Sequence, residues 1–194
     1  LDRQRAGVEA THMRYLELSL LQAAAPQVSW VAADGALAPL RSVKEPAEIE
    51  CMQRAAVIAE QALEATLPHA TPTDRPLRAG DLLILDWGAR VQGYISDLTR
   101  TFAVGEVEAE LSEIHAVVQR ANQAGVQAVR PGLPCSQVDR AARQVIEAAG
   151  YGEYFIHRTG HGLGLEGHEP PYIRQDEDSL LQPGMTFTVE PGIY

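Results

Sequence analysis

Asp86, Asp97, His157, His161, His168 and Glu190 are side chains of the kinds that bind metal ions or move protons, and they fall at spacings that a fold could gather. Asp86 and Asp97 bracket the segment DWGARVQGYISD, which has the pattern of a β-hairpin. With Val91-Gln92 as the two-residue turn, Asp86 lies directly across from Asp97, with Cβ atoms about 5 Å apart on one face. With Gln92-Gly93 as the turn, the register shifts. Like charges placed so destabilise a sheet unless something neutralises them, and a divalent cation is the natural candidate.

The stretch HRTGHGLGLEGHEPP, residues 157–171, puts three histidines within twelve residues. Gly160, Gly162, Gly164 and Gly167 remove side chains between them, as happens where a ligand or another backbone approaches closely. Neutral imidazole is a common metal ligand. Glu190 ends the apolar run MTFTVEPG. A carboxylate leaving such a strand must be paired, hydrogen-bonded or metal-bound. The resulting set is rich in oxygen and poor in nitrogen, which suits Mn²⁺, Co²⁺, Fe²⁺ or Zn²⁺. It contains no thiolate that would indicate a closed structural zinc site. Two ions about 3.5–4 Å apart could share carboxylates and a hydroxide.

The elements that must carry these residues repeat. LRAGDLLILDWG (77–88) aligns with LQPGMTFTVEPG (181–192), matching Leu77 to Leu181, Gly80 to Gly184, Gly88 to Gly192 and Asp86 to Glu190. The helices ahead correspond as well, QRAAVIAEQA (53–62) to QRANQAGVQA (119–128). This reads as a duplicated helix-plus-strand unit, each half offering one carboxylate to a shared site. Periodicity predicts helices over 10–24, from Pro46 to about Ala65, over 108–130 and over 135–149. It predicts strands at 28–32, 82–86, 94–104 and 184–190. AADGALAPL and the Pro-rich HATPTDRPLRAG read as loops. GHGLGLEG is no dinucleotide fingerprint, because no helix pattern follows it.

Composition narrows the function classes. The chain has 194 residues, 45% hydrophobic and 22% charged, with a formal net charge of −10. That is ordinary globular composition, and the acidity argues against nucleic acid or an anionic membrane as partner. No stretch is long and apolar enough for a signal core or a membrane span. Two widely spaced cysteines, Cys51 and Cys135, imply no disulfide framework and point to a reducing, cytoplasmic compartment. The opening LDRQRAGVEA lacks an initiator Met and reads as the middle of something longer.

LDWG…SDLTRTF, HRTGHGLGLEGHEPPYI and GMTFTVEPGIY together resemble the pita-bread metallopeptidases, from about Arg41 to Tyr194. PLRSVKEPAEIE and the HEPP ending resemble the proline-specific branch, the Xaa-Pro aminopeptidases and Xaa-Pro dipeptidases (prolidases). The resemblance implies an α+β fold: a duplicated helix-plus-antiparallel-strand unit, helices outside a curved sheet and a dinuclear metal site at the centre. Residues 1–40 would be the tail of an N-terminal domain plus linker, and 41–194 the catalytic domain. The family's metal ligands fall on Asp86, Asp97, His161 and Glu190, with Asp97 bridging two divalent ions (Mn²⁺, Co²⁺ or Zn²⁺). Glu190 would also take a proton from the nucleophilic water, His168 would help hold the scissile carbonyl, His69 would sit near the substrate, and His157 would occupy an active-site position with no assigned role. A fifth ligand, a second glutamate, would lie beyond Tyr194. The implied activity is hydrolysis of an N-terminal Xaa-Pro bond through a metal-bridging hydroxide. Substrates would be Xaa-Pro dipeptides or short peptides, and the assembly a homodimer.

Two alternatives stand beside this reading. One is a methionine aminopeptidase or creatinase-type hydrolase on the same scaffold, and the other is a non-catalytic module that binds peptides or proteins. The repeat also predicts an interruption in the chain. Gln119 to Glu190 spans 71 positions but Gln53 to Asp86 only 33, a shortfall of 71 − 33 = 38 residues, with a junction expected between Ala65 and His69.

Overall fold

The computed structural model describes residues 4–69 and 76–194. The chain divides into two compact units, Leu1–Arg41 and Ser42–Tyr194. In the first, strands β1 (Arg5–Val8) and β2 (Ser29–Ala32) pair in parallel, Arg5 with Ser29 through Val8 with Ala32. Helix α1 (Tyr15–Ala24) makes the crossover that a parallel pair needs. It starts later than its apolar stripe suggests, because Thr11 is held in the turn before it. The Thr11 N–H and hydroxyl donate to Asp34 at 3.0 and 2.7 Å. The segment AADGALAPL, expected as loop, contains most of helix α2 (Asp34–Ser42). Gly35 and Pro39 read as loop punctuation, but Ala and Leu between them favour helix, and Asp34 sits at the positive end of its dipole.

In the second unit, α3 runs from Pro46 to Thr66. Its start follows the sequence closely: Pro46 at the first turn, and Glu45 and Glu48 closing a reciprocal cap. Leu67 N–H donates to Leu63 O and the chain continues into a 3₁₀ turn, Leu67–His69. Helix α3 and this turn cover Ala65 to His69, where the junction was expected. Half of the Pro-rich loop expected next, residues 70–75, lies outside the described ones.

Strands β3 (Leu82–Trp87) and β6 (Leu98–Ala103) pair antiparallel, and a short hairpin, β4 (Arg90–Val91) and β5 (Tyr94–Ile95), lies between them. The turn is Gln92-Gly93, with φ of 51° and 92°. Both central residues of a two-residue hairpin turn need positive φ, and glycine at the second position makes that register the cheaper one. Asp86 accordingly faces Thr99, and the direct Asp86–Asp97 pairing of the alternative register does not form. The expected strand 94–104 is broken at Ser96-Asp97, where Ser96 Oγ accepts the Ala89 N–H at 3.0 Å.

Helices α4 (Ala109–Ala128) and α5 (Cys135–Ala148) pack on one another. Val117 and Ala121 of α4 and Ile146 of α5 are buried together with Phe155. Strands β7 (Gly160–Gly162) and β8 (Glu169–Ile173) carry the glycine-rich segment. Residues 184–190 are extended but pair irregularly. Met185 and Phe187 bridge to Val43 and Gly162, and the N–H groups of Thr188 and Glu190 donate to His161 O and Thr159 O at 2.8 and 2.7 Å. A Cβ on Gly160 would lie 1.9 Å from Thr188 O, so the glycine serves a backbone contact. Among the described residues the strands form two-stranded pairs only.

A buried ion pair ties the start of this unit to the histidine segment. Lys44 Nζ meets Glu169 Oε1 at 2.6 Å, with side-chain exposures of 1% and 6%. Nearby, the Tyr94 hydroxyl donates to Glu48, and Ile95 N–H donates to Gly164 O at 2.8 Å. Removing one partner of a buried pair strands the other charge, at a cost of about 3–5 kcal/mol. Lys44→Met should lower unfolding free energy by about that amount in denaturant titrations. Lys44→Met/Glu169→Leu should recover much of it, since an apolar pair of similar volume can replace a buried ion pair.

Candidate metal centre

A cavity of about 530 Å³ is bounded by Asp86, Asp97, His157, Arg158, His161, His168, Arg174 and Glu190. Asp86 comes from the end of β3, Asp97 from the break between β5 and β6, His161 from β7, His168 from the residue before β8, and Glu190 from the extended run. The fold thus brings six of the seven expected site residues to one space. His69 is the exception: it sits in the exposed 3₁₀ turn after α3 and does not line the cavity. A larger space of about 830 Å³ shares Asp86, Asp97 and Glu190 and runs beside α4, where Ile114 and Val118 line it.

His161 is the centre of the contacts. Its Nε2 lies 3.1 Å from Glu190 Oε1 and 3.5 Å from Asp97 Oδ2. Its Nδ1 meets Gly162 O at 3.0 Å. A carbonyl only accepts, so Nδ1 carries the proton there and Nε2 is turned to the carboxylates. The His168 ring lies against the His161 ring, centroids 4.1 Å apart. Thr188 Oγ1 donates to Glu190 Oε1 at 2.7 Å and accepts the His161 N–H at 3.0 Å, joining two of the expected ligands. His157 donates from Nδ1 to Arg158 O at 2.7 Å. Its Nε2 is buried and has no hydrogen-bond partner among the described residues.

Among the described residues no three side chains of the ligand types stand close enough to form a ready coordination sphere. The donor chemistry nevertheless fits divalent ions. Three carboxylates face one cavity, and His161 meets two of them directly. Burial, then the charges of Glu190 and Asp86, push the Asp97 carboxyl above the ordinary range. Burial opposes the His161 imidazolium, but the hydrogen bonds to Glu190 and Gly162 O and the charges of Glu190 and Asp97 outweigh it and raise its pKa. Burial would raise Glu190, yet hydrogen bonds from His161 and Thr188 hold it below the usual carboxylate range.

Sequence reasoning missed Thr188, Arg158 and Arg174. Thr188 was legible in principle, because TFTVE alternates and sets Thr188 on the same face as Glu190. No sequence signal distinguished the two arginines from solvated ones.

The sign of the pH dependence follows. His161, raised by folding, contributes stability that is complete below about pH 6.5 and is lost as pH climbs through its raised value. Asp97, also raised, adds a cost once it ionises. Glu190, lowered, contributes stability above about pH 4.3 that is lost as pH falls through its depressed value. Metal-free protein should therefore melt highest between about pH 4.3 and 6.5 and lower toward pH 8. At pH 8, added Mn²⁺ should raise the melting temperature, because cations then replace the proton. A metal-free melting temperature that climbs from pH 6 to 8 would contradict this assignment.

Residues 51–194 match the model of metallopeptidase family M24. A probable dipeptidase, PepE, of Mycobacterium tuberculosis is 49% identical over 128 residues, which cover 66% of this chain and 34% of that protein. The chain thus spans about a third of the length of this curated relative. An Xaa-Pro dipeptidase structure from Bacillus anthracis superposes with a TM-score of 0.90 at 33% identity, over 98% of this chain and 65% of that one. A prolidase structure from Pyrococcus furiosus does so with a TM-score of 0.89 at 30% identity, over 98% and 67%. The shared architecture is the pita-bread fold, and with its family model matched across most of its length, the chain belongs to metallopeptidase family M24.

Proposed function

We propose that the protein is a dinuclear metallo-exopeptidase that hydrolyses the N-terminal Xaa-Pro bond of dipeptides or short peptides. The observation that carries this reading is the convergence of Asp86, Asp97, His161, His168 and Glu190 on one cavity. The ions would be held by Asp86, Asp97, His161 and Glu190. Two divalent ions (Mn²⁺, Co²⁺ or Zn²⁺) would bring the pKa of water to about 7 and polarise the scissile carbonyl.

The chain's own groups supply the rest. Glu190, ionised and held by Thr188, is the base that takes the proton of the attacking water. The proline nitrogen leaves from a tertiary amide and needs a proton, which Glu190 can return. His168, lying on His161, is placed to donate to the carbonyl oxygen as it gains charge. The carboxylates favour a free substrate amine. Arg158 and Arg174 at the same cavity favour a free carboxylate, a combination that suits a dipeptide. A proline-specific substrate is supported by the Xaa-Pro dipeptidase and prolidase neighbours. Both cysteines are buried free thiols, which supports a reducing, cytoplasmic setting. No helix among the described residues is long and apolar enough to cross a membrane. A homodimer is the assembly this reading carries with it.

Chelation should abolish hydrolysis of Ala-Pro, and Mn²⁺, Co²⁺ or Zn²⁺ should restore it. Undiminished activity in stripped protein would refute the metal-dependent mechanism. Asp97→Ala should cost more than about 100-fold in kcat/KM, the upper end of what changes outside the ligand set cost. Ala-Pro should be cleaved faster than Met-Ala; the reverse order would favour a methionine aminopeptidase. No cleavage of either by folded, metal-loaded protein would favour the binding module.

A further inference from the structure

Asp139 and Arg143 stand four residues apart on α5, so they share a face of the helix. Asp139 is fully buried and the Arg143 side chain is only 13% exposed. Neither lines the cavity. A buried ion pair gives little net stability by itself, because desolvation offsets the attraction. What distinguishes this pair is where its remaining hydrogen bonds go.

Asp139 Oδ2 accepts Arg143 Nε at 2.9 Å, and Oδ1 accepts Arg143 Nη2 at 3.1 Å. Oδ1 also accepts the Thr159 hydroxyl at 2.7 Å and the Thr159 N–H at 3.2 Å. Arg143 Nη1 donates to Phe155 O at 2.9 Å, and Nη2 to His157 O at 3.0 Å. Its guanidinium lies 4.0 Å above the Phe155 ring, which meets the His157 ring edge-on at 5.1 Å. Thr159 O then accepts the Glu190 N–H at 2.7 Å. One fork on α5 therefore holds residues 155, 157 and 159, and through Thr159 the backbone of Glu190.

We propose that Asp139 and Arg143 are a positioning pair for the cavity: they set the backbone and ring of His157 and, through Thr159, the placement of Glu190. The proposal rests on the reading of that cavity as the hydrolytic site. It differs from a purely structural role in what it predicts for His157 and for metal affinity.

Arg143→Lys keeps the charge but loses the planar fork that serves a carboxylate and two carbonyls at once. Asp139→Asn keeps an acceptor for Thr159 and loses the charge. The first readout is imidazole nitrogen NMR of the metal-free protein, which needs no activity. In Arg143→Lys the His157 signals should shift while those of His12 and His115 stay. The second readout is Mn²⁺ affinity by calorimetry, which should fall about 10–100-fold, as outer-shell changes do. In the active protein kcat should fall similarly with KM within about threefold, the mark of a group needed in the transition state. Asp139→Asn should show smaller losses than Arg143→Lys. A folded Arg143→Lys with a lower melting temperature but unchanged His157 signals and Mn²⁺ affinity would overturn the proposal. If Arg143→Lys does not fold, Thr159→Val carries the test by removing one hydroxyl bond to Asp139. A Mn²⁺ affinity reduced about tenfold supports positioning, and an unchanged one overturns it. Loss of Mn²⁺ affinity in the variants, with no Xaa-Pro cleavage by the wild type, would uphold the pair and remove the substrate assignment instead.

Discussion

Three carboxylates face one cavity in this fold, and their mutual repulsion is the constraint the rest of the second unit answers. Asp86, Asp97 and Glu190 come from separate places in the chain, and nothing local would hold them together. Burial, and then repulsion from Glu190 and Asp86, raises the Asp97 carboxyl. The described residues offer partial relief through His161, whose Nε2 reaches both Glu190 and Asp97. A protein that needed only a stable core would place apolar groups here, since unneutralised like charges cost stability. Keeping them together makes sense where a cation, held by the carboxylates and His161 together, neutralises the set.

Holding such a set requires backbone that cannot drift. The extended run 184–190 lies against β7 through hydrogen bonds from Thr188 and Glu190 to His161 and Thr159. Gly160 makes that approach close enough, with no Cβ to meet Thr188 O. From one side α5 grips residues 155–159, and elsewhere the Lys44–Glu169 pair ties the start of the unit, and the Ile95–Gly164 hydrogen bond the hairpin, to the histidine segment. Charged groups thus do two jobs. Those at the cavity are left partly exposed for chemistry, while the buried ones fix the loops that carry it.

Local physics made some elements legible and left others hidden. Helix α3 was readable because Pro46 and Glu48 mark its start and its apolar period is sustained; α4 and α5 end at Pro131-Gly132 and Gly150, which no helix crosses easily. Helix α2 was hidden by Gly35 and Pro39, and β1 by its shortness, four residues. The hairpin register could be narrowed to two choices by pattern, and a turn preference of fractions of the folding energy chose Gln92-Gly93. The run 184–190 has a strand's alternation, yet it pairs only in isolated bridges because its partner β7 is three residues long.

The candidate site divides in the same way. Residue type and spacing alone picked out Asp86, Asp97, His157, His161, His168 and Glu190, because carboxylates and imidazoles flanked by glycines and ending apolar strands have few structural uses. Only the tertiary structure could set His69 apart from them, bring Arg158, Arg174 and Thr188 in, and show Asp139 and Arg143 behind the histidine segment. The physical reason is range. A helix, a turn or an amphipathic strand is decided by neighbours a few positions away, whereas Arg143 finds His157 O across 14 positions, and Thr188 finds His161 across 27. Those contacts exist only after the chain has closed on itself, and no pattern along the sequence records the distances that result.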